Sequence, residues 1–467
     1  MPEYLSPGVY VEEVPSTIKP IVGVSMSTAA FVGIVPDTIQ IPEENPGYDP
    51  TKPIAADNQK FVTWTFPYPQ ADYDKAKADY AAASAPGRPP RPNGDTPDKI
   101  KAFRDARAKF ATAAQRFAAS DLAPEATPKL CTSFAQFRTY FGDFSTNADH
   151  RNLIQGVYGF FNNGGTRCYV MRFKDLTGLQ APTALTLLEA IDEVTMVVAP
   201  GIIDEVVQNN LIDHCENLHD RVAILDAPPN PKEFTEDEIK VVQNTDYGAL
   251  YFPRIKVFDI ATKLTAAPDS DDADGEIYVS PSGHIAGIYA RVDETRGVHK
   301  APANEPIRGA LPKGIEHLIS KSIQDGLNPG GINCIRDING KITVWGARTI
   351  GGDMNEDLKY ISVRRLLIFL EKSIDHSTQW VVFEPNDASL WAKIVRNVDA
   401  FLTEVWRGGA LFGKTAQEAF YVRCDEETNP VDERELGKVT TEIGVAIVRP
   451  AEFVIFRIQQ WAGPQPS

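Results

Sequence analysis

A chain of 467 residues has room for about three domains of ~150 residues each, with an ample buried core. Its formal net charge of −16 argues against a protein that coats nucleic acid, because a phosphate-binding face needs an excess of Lys and Arg. Five cysteines, Cys131, Cys168, Cys215, Cys334 and Cys424, form no Cys-x-x-Cys pair and cannot all bond within the chain, so they read as buried thiols from a reducing compartment. The first residues lack the basic and apolar regions of a secretion signal, and no apolar run approaches the ~18 residues of a membrane span. Assembly in a cytoplasm, without membrane insertion, is the expectation.

In chain order, residues 1–24 are predicted to form an extended arm. Residues 7–15 and 21–24 are short β-prone pieces, and Pro2, Pro7, Pro15 and Pro20 prevent them from folding back as a helix. The apolar run at 27–35 reads as a buried strand. After Pro36 the text turns rich in Pro, Ala and charge, and residues 37–130 are predicted to be a helical outer insertion. Its longer helix, over 98–120, has Ile100, Phe103, Phe110, Ala114 and Phe117 on one face and a shorter partner at 72–83. The basic outer surface of that helix is read as a solvated face, with an anionic partner as the rival.

From Cys131 onward, helices predicted at 133–141, 152–161, 183–190, 204–218 and 235–242 alternate with strands at 168–172, 195–199, 222–225 and 249–252. Alternation of this kind predicts an α/β domain over 131–344 with a mostly parallel sheet. Residues 331–345 form two β-rich runs joined at Asn339-Gly340, the residues a tight primed turn requires. A helix follows at 360–376, then a short strand at 381–383. Asp387 is then placed to cap a long helix to Arg407, with Leu390, Ile394, Val398, Leu402 and Val405 as its core stripe. Lys393 and Arg396 lie off that stripe, either as solvated charges or as a docking site for an acidic partner.

The chain ends in two more β-prone runs. Residues 438–449 put Ile443, Val445 and Ile447 on one face, Pro450 stops the strand, and residues 452–458 are apolar on both faces except for Arg457. A terminal strand so apolar needs a cover, as does the N-terminal arm. The candidate pairing residues are Val9, Tyr10, Val11, Val14, Ile21 and Val22 at one end, with Ile443, Val445, Phe453, Ile455, Phe456 and Ile458 at the other. On this reading an α+β inner module is built from the two ends of the chain, residues 25–36 and 345–467.

Enzymatic readings run out of residues. Asp226 at a strand end and His284 in Ser282-Gly-His follow the order of a subtilisin-like serine peptidase, but no exposed Ser flanked by small residues follows them. His214 and His219 are five residues apart, where zinc-binding helices use four. The acidic loop 266–275 lacks the closing Glu of a calcium loop, and neither Gly164-Gly165 nor Gly330-Gly331 has the pattern that cradles phosphate. No catalytic, metal or cofactor site is predicted.

Several blocks in order carry a family resemblance: Tyr4-Leu-Ser-Pro-Gly-Val-Tyr-Val-Glu-Glu13, residues 22–33, Pro281-Ser-Gly-His-Ile-Ala-Gly-Ile-Tyr-Ala-Arg291, residues 296–304, Asn333-Cys-Ile-Arg336, Val344-Trp-Gly-Ala-Arg-Thr349, Tyr360-Ile-Ser-Val-Arg-Arg365 and the end from 420 to 460. They resemble the contractile tail sheath family of phages and related injection systems. The resemblance spans both ends and most of the middle but not residues 36–129. It implies hexameric rings stacked helically around an inner tube, with arms of neighbouring subunits joining one another's sheets in a mesh. Implied partners are other copies of the chain, the inner tube protein, and baseplate and terminator proteins, with a second sheath paralogue left open. Direct nucleic-acid binding is not implied. Lys393 and Arg396 become candidates for docking the tube, and a tail tube or baseplate protein is the non-enzymatic rival.

Overall fold

The apolar run after the arm forms the strand Ala29–Ile34, with all six residues buried. The computed structural model describes residues 20–45, 48–49, 51–52, 59–84, 96–118, 121–267, 270 and 272–457. Ala29–Ile34 lies inside a nine-stranded sheet, paired in parallel with Cys168–Phe173 on one side and Met196–Val198 on the other. Parallel pairing continues through Val222–Asp226 and Gly248–Phe252 to Ile332–Ile338. Antiparallel strands finish the sheet, Lys129–Cys131 at one end and Lys341–Val344 followed by Glu305–Pro306 at the other. Parallel neighbours require long crossovers, and the helices supply them while covering the strands. The fold is therefore mixed α/β with a large, mostly parallel sheet.

The described chain forms two compact units, residues 25–368 with 449–457, and residues 20–24 with 369–448. The strand read as part of the inner module, within 25–36, lies in the large sheet instead. An apolar run buried on both faces suits a central parallel strand. Residues 345–368 also belong to the large unit, where fully buried Arg365 donates to both oxygens of Asp293 (2.8 and 2.5 Å) and to Met26 O (2.9 Å). The helix Ile361–Thr378 begins in one unit and ends in the other.

The insertion is not wholly helical. Its helices Gln70–Ala83 and Pro97–Ala118 stack Tyr80 on Phe110 at 5.4 Å and Tyr73 on Phe117 at 4.7 Å, so the predicted aromatic face does meet the partner helix. At its base, however, Ile39–Glu44 pairs antiparallel with Phe61–Phe66, a hairpin that the sequence reading missed. Ile39, Ile41 and Phe66 are buried, with Trp64 and Leu122 packed on them. Pro42 hides this strand from propensity, yet it is tolerated because both strands of a two-stranded sheet are edges.

Other local expectations divide cleanly. Asn339 and Gly340 both adopt positive φ (54° and 79°) between the paired strands, as a primed turn demands. The helices expected at 183–190 and 235–242 are single turns, Thr186–Glu189 and Glu236–Ile239. Residues 381–383 are not a strand: Gln379–Val381 is a 3-10 turn and Phe383 has φ 67° with its side chain fully exposed. Three apolar residues do not hold a strand without a ladder partner, and none pairs with them among the described residues. Asp387 caps Ala388–Arg407, its carboxylate accepting from Leu390 N at 2.9 Å, and Leu390, Ile394, Val398 and Leu402 are buried. All five cysteines are buried and free. Among the described residues no helix is long and apolar enough to cross a membrane.

Candidate assembly surfaces

Asp226 and His284 do not meet as a catalytic pair. Asp226 is buried at its strand end and accepts from Gly201 N (3.0 Å), Ser282 N (2.9 Å) and Ser282 Oγ (2.6 Å). The carboxylate therefore ties the start of the helix Ser282–Arg296 to the loop after Met196–Val198. His284 is buried with its ring against Gly159, and its Nδ1 has no partner among the described residues. Ser282 is fully buried too, so a peptide has no access to any of the three.

These buried groups make stability depend on pH. Burial pushes His150 and His284 down to about 4, and burial helped by the Arg221 charge does the same to His214. Each imidazole contributes stability that is present above its unfolded value, near 6.5, and lost as pH falls toward 4. Asp226 has the opposite sign: burial, opposed by its three donors, pushes it up to about 6, so its contribution is present below 3.8 and lost as pH rises through 6. The histidines outnumber it, and a deeply buried one is worth on the order of 3 kcal/mol. The melting temperature of the unassembled protein is expected to fall between pH 6.5 and 4. A flat or rising profile in thermal melts over that range would contradict the assignment.

In the smaller unit, Phe420–Arg423 pairs antiparallel with Glu442–Val445, placing the candidates Ile443 and Val445 half-buried on a two-stranded sheet. Apart from a single bridge between Leu411 and Ile447, no other strand joins it among the described residues. Such a sheet is marginal alone and leaves ladder groups unpaired at its edges. The arm root docks in the same unit: Val22 N donates to Ser377 Oγ (3.2 Å) and Val24 N to Ser373 Oγ (3.1 Å), the two hydroxyls lying one helical turn apart. Ile21 is buried and Val22 exposed, while Val9, Tyr10, Val11 and Val14 lie outside the described residues. Lys393 and Arg396 are exposed on Ala388–Arg407, with no acidic partner among the described residues.

In the large unit, the predicted terminal strand is not a strand in the single subunit. Residues 451–457 carry no regular structure: a ladder needs a partner, and no strand among the described residues pairs with them. Phe453, Val454, Ile455 and Phe456 are 69, 68, 78 and 84% exposed, and Ile458 lies outside the described residues. Immediately before them, Glu452 accepts a two-pronged contact from Arg348 Nε and Nη2 (2.8 Å each), with Asn328 Nδ2 at 2.7 Å and the Tyr360 hydroxyl at 2.8 Å. Burial pushes the carboxyl up, but these hydrogen bonds outweigh it and hold it below the usual glutamate value. Burial and the same carboxylate push Tyr360 up to about 12, so its hydroxyl stays a donor.

Sequence reasoning missed Glu452, Arg348, Ser373 and Ser377. Arg348 and Glu452 stand 104 residues apart, beyond the reach of any periodicity. The available signal was a lone acid opening an apolar run.

Comparison with known proteins agrees with this architecture. The model of the phage tail sheath protein central domain matches residues 177–350, and that of the phage tail sheath C-terminal domain matches residues 353–460. The tail sheath protein of Vibrio phage KVP40 (isolate Vibrio parahaemolyticus/Japan/Matsuzaki/1991) is 28% identical over 186 residues, 38% of this chain and 26% of that relative. The match thus spans about a quarter of the relative's length. A sheath complex of the extracellular contractile injection system PVC, in its contracted state, has a similar fold, with TM-score 0.66 at 23% identity over 99% of both chains. The contracted helical sheath of the anti-feeding prophage gives 0.64 at 23% identity over 98% of this chain and 99% of that one. With both sheath domains in order over more than half of its length, this chain belongs to the phage tail sheath family.

Proposed function

We propose that the chain polymerises as hexameric rings stacked helically around an inner tube, and that contraction of this sheath drives the tube through a target envelope. The observation that carries the reading is the pairing deficit: a two-stranded sheet open at its edges, and an exposed apolar terminal segment with no strand partner among the described residues. An extended segment added to a sheet edge satisfies both at once, through ladder hydrogen bonds and burial of alternate side chains. The N-terminal arm, with Val9, Tyr10, Val11 and Val14, supplies the second added strand. Linked in this way, subunits slide and rotate without separating, and an extended state of higher free energy relaxes by burying more surface.

The partners in this reading are other copies of the chain, the inner tube, and baseplate and terminator proteins. Lys393 and Arg396 are the docking charges for an acidic tube surface, where a weak contact per subunit suffices because subunits are many. Asp226 and His284 act structurally, without hydrolytic chemistry. Assembly in the cytoplasm precedes any release of the particle. Negative-stain microscopy of the purified protein tests the proposal: wide ribbed tubes are expected, whereas narrow smooth tubes, or no polymer at any concentration, would overturn it in favour of a tube or baseplate component.

A further inference from the structure

We propose that Glu452 is the positioning residue of the terminal segment: its ion pair with Arg348 fixes where residues 453–457 leave the subunit, so that a second copy of the chain meets a presented strand instead of a free tail. The proposal relies on the assembly reading only for the identity of the partner, since the pin is a property of the single subunit.

The geometry is that of a built site. Arg348 is 2% exposed, and its planar fork matches the carboxylate, Nε to Oε1 and Nη2 to Oε2, while Nη1 donates to Asn328 O (2.9 Å) and Asp353 Oδ1 (3.0 Å). Each Glu452 oxygen takes a second donor, Asn328 Nδ2 on Oε1 and the Tyr360 hydroxyl on Oε2. The donors come from three separate places, the turn after Lys321–Leu327, the chain after the Lys341–Val344 strand, and the residue preceding Ile361–Thr378. A carboxylate held from three directions is fixed in position and orientation, although the chain that carries it has no regular structure.

Among the described residues little else holds this stretch. Arg449 makes a surface contact with Asp357 (3.3 Å), and beyond Glu452 the four apolar side chains stand in solvent. Phe453 and Trp345 line an open cleft with Arg336 and Arg348, so the segment starts beside exposed aromatic surface in its own unit. Fixing the root of a strand removes much of the ordering cost when the rest pairs, and it raises the effective concentration of the segment at the receiving edge.

The test uses full-length protein below its assembly concentration, spin-labelled at Asp325→Cys and Val454→Cys. Both positions are exposed and all native cysteines are buried, so labelling is selective. With Glu452 present, pulsed dipolar spectroscopy is expected to give a narrow interlabel distance distribution. It should broaden progressively through Tyr360→Phe, Glu452→Gln and Glu452→Ala, and the unlabelled Glu452→Ala protein should need about tenfold or more concentration to polymerise. A distribution already broad with Glu452, or one unchanged in Glu452→Ala, would overturn the proposal. Should the unsubstituted protein fail to polymerise at all, the assembly reading falls, and the distance measurement still decides the role of Glu452.

Discussion

Removing residues 453–467, with Glu452 left on Arg348, is expected to yield a folded subunit that no longer polymerises, and removing residues 1–19 to do the same. Both cuts leave every helix and strand of the described residues in place. The first takes away side chains exposed in the subunit, and the second keeps Val22 and Val24 on Ser377 and Ser373. On the proposed strand-addition mesh, each removes a joint between copies. Several ladder hydrogen bonds at ~0.5–1.5 kcal/mol net, with two or more of Phe453, Val454, Ile455 and Phe456 buried at ~1.5–3 kcal/mol each, amount to about 5 kcal/mol per joint. At tenfold per ~1.4 kcal/mol, the concentration for polymer onset rises about a thousandfold or more. Thermal melts would report an unchanged subunit, and sedimentation with microscopy would report the missing polymer. Normal tubes from either truncation would sink the strand-addition mesh.

How much of this could be read beforehand depended on the range over which each feature is encoded. The strand Ala29–Ile34 and the turn at Asn339-Gly340 are written in contiguous residues whose chemistry admits one conformation, and both appear in the structure. The hairpin from Ile39–Glu44 to Phe61–Phe66 was hidden because its burial comes from Leu122, far along the chain, while Pro42 argues locally against it. The terminal run was legible as strongly apolar, since hydrophobicity is a local property, and the structure leaves it exposed. Its anchor was not, because a contact between Arg348 and Glu452 exists only after folding has brought them together. Asp226 and His284 show the converse: sequence order offers two members of a triad and the missing nucleophile already argues against it, while burial and hydrogen-bond direction, invisible in the sequence, give Asp226 to Ser282 and Gly201 and leave His284 against Gly159.

Gly283→Ala is expected to be among the most damaging conservative changes in the body of the subunit. The helices Ala148–Asn163 and Ser282–Arg296 approach each other backbone to backbone, and a Cβ on Gly283 would overlap the main chain of Gly156. Gly159 and Gly287 are equally tight, the first against the His284 ring and the second against Phe160 O. A flexible side chain gives way to an added methyl group, but a facing backbone does not, so the helices must separate and the contacts along their length loosen. Overpacking costs ~1–3 kcal/mol where side chains yield; here the loss is expected at the top of that range or beyond, with a melting temperature lower by about 4 °C or more, or insoluble protein. Gly326→Ala is the control. That glycine sits in the helix Lys321–Leu327 with nothing within 4 Å of a Cβ, so alanine there should stabilise by up to about 1 kcal/mol through helix propensity. Similar melting temperatures for the two variants would mean that the helix pair is not held at backbone contact, and that the glycines of Pro281-Ser-Gly-His-Ile-Ala-Gly287 answer to some requirement other than packing.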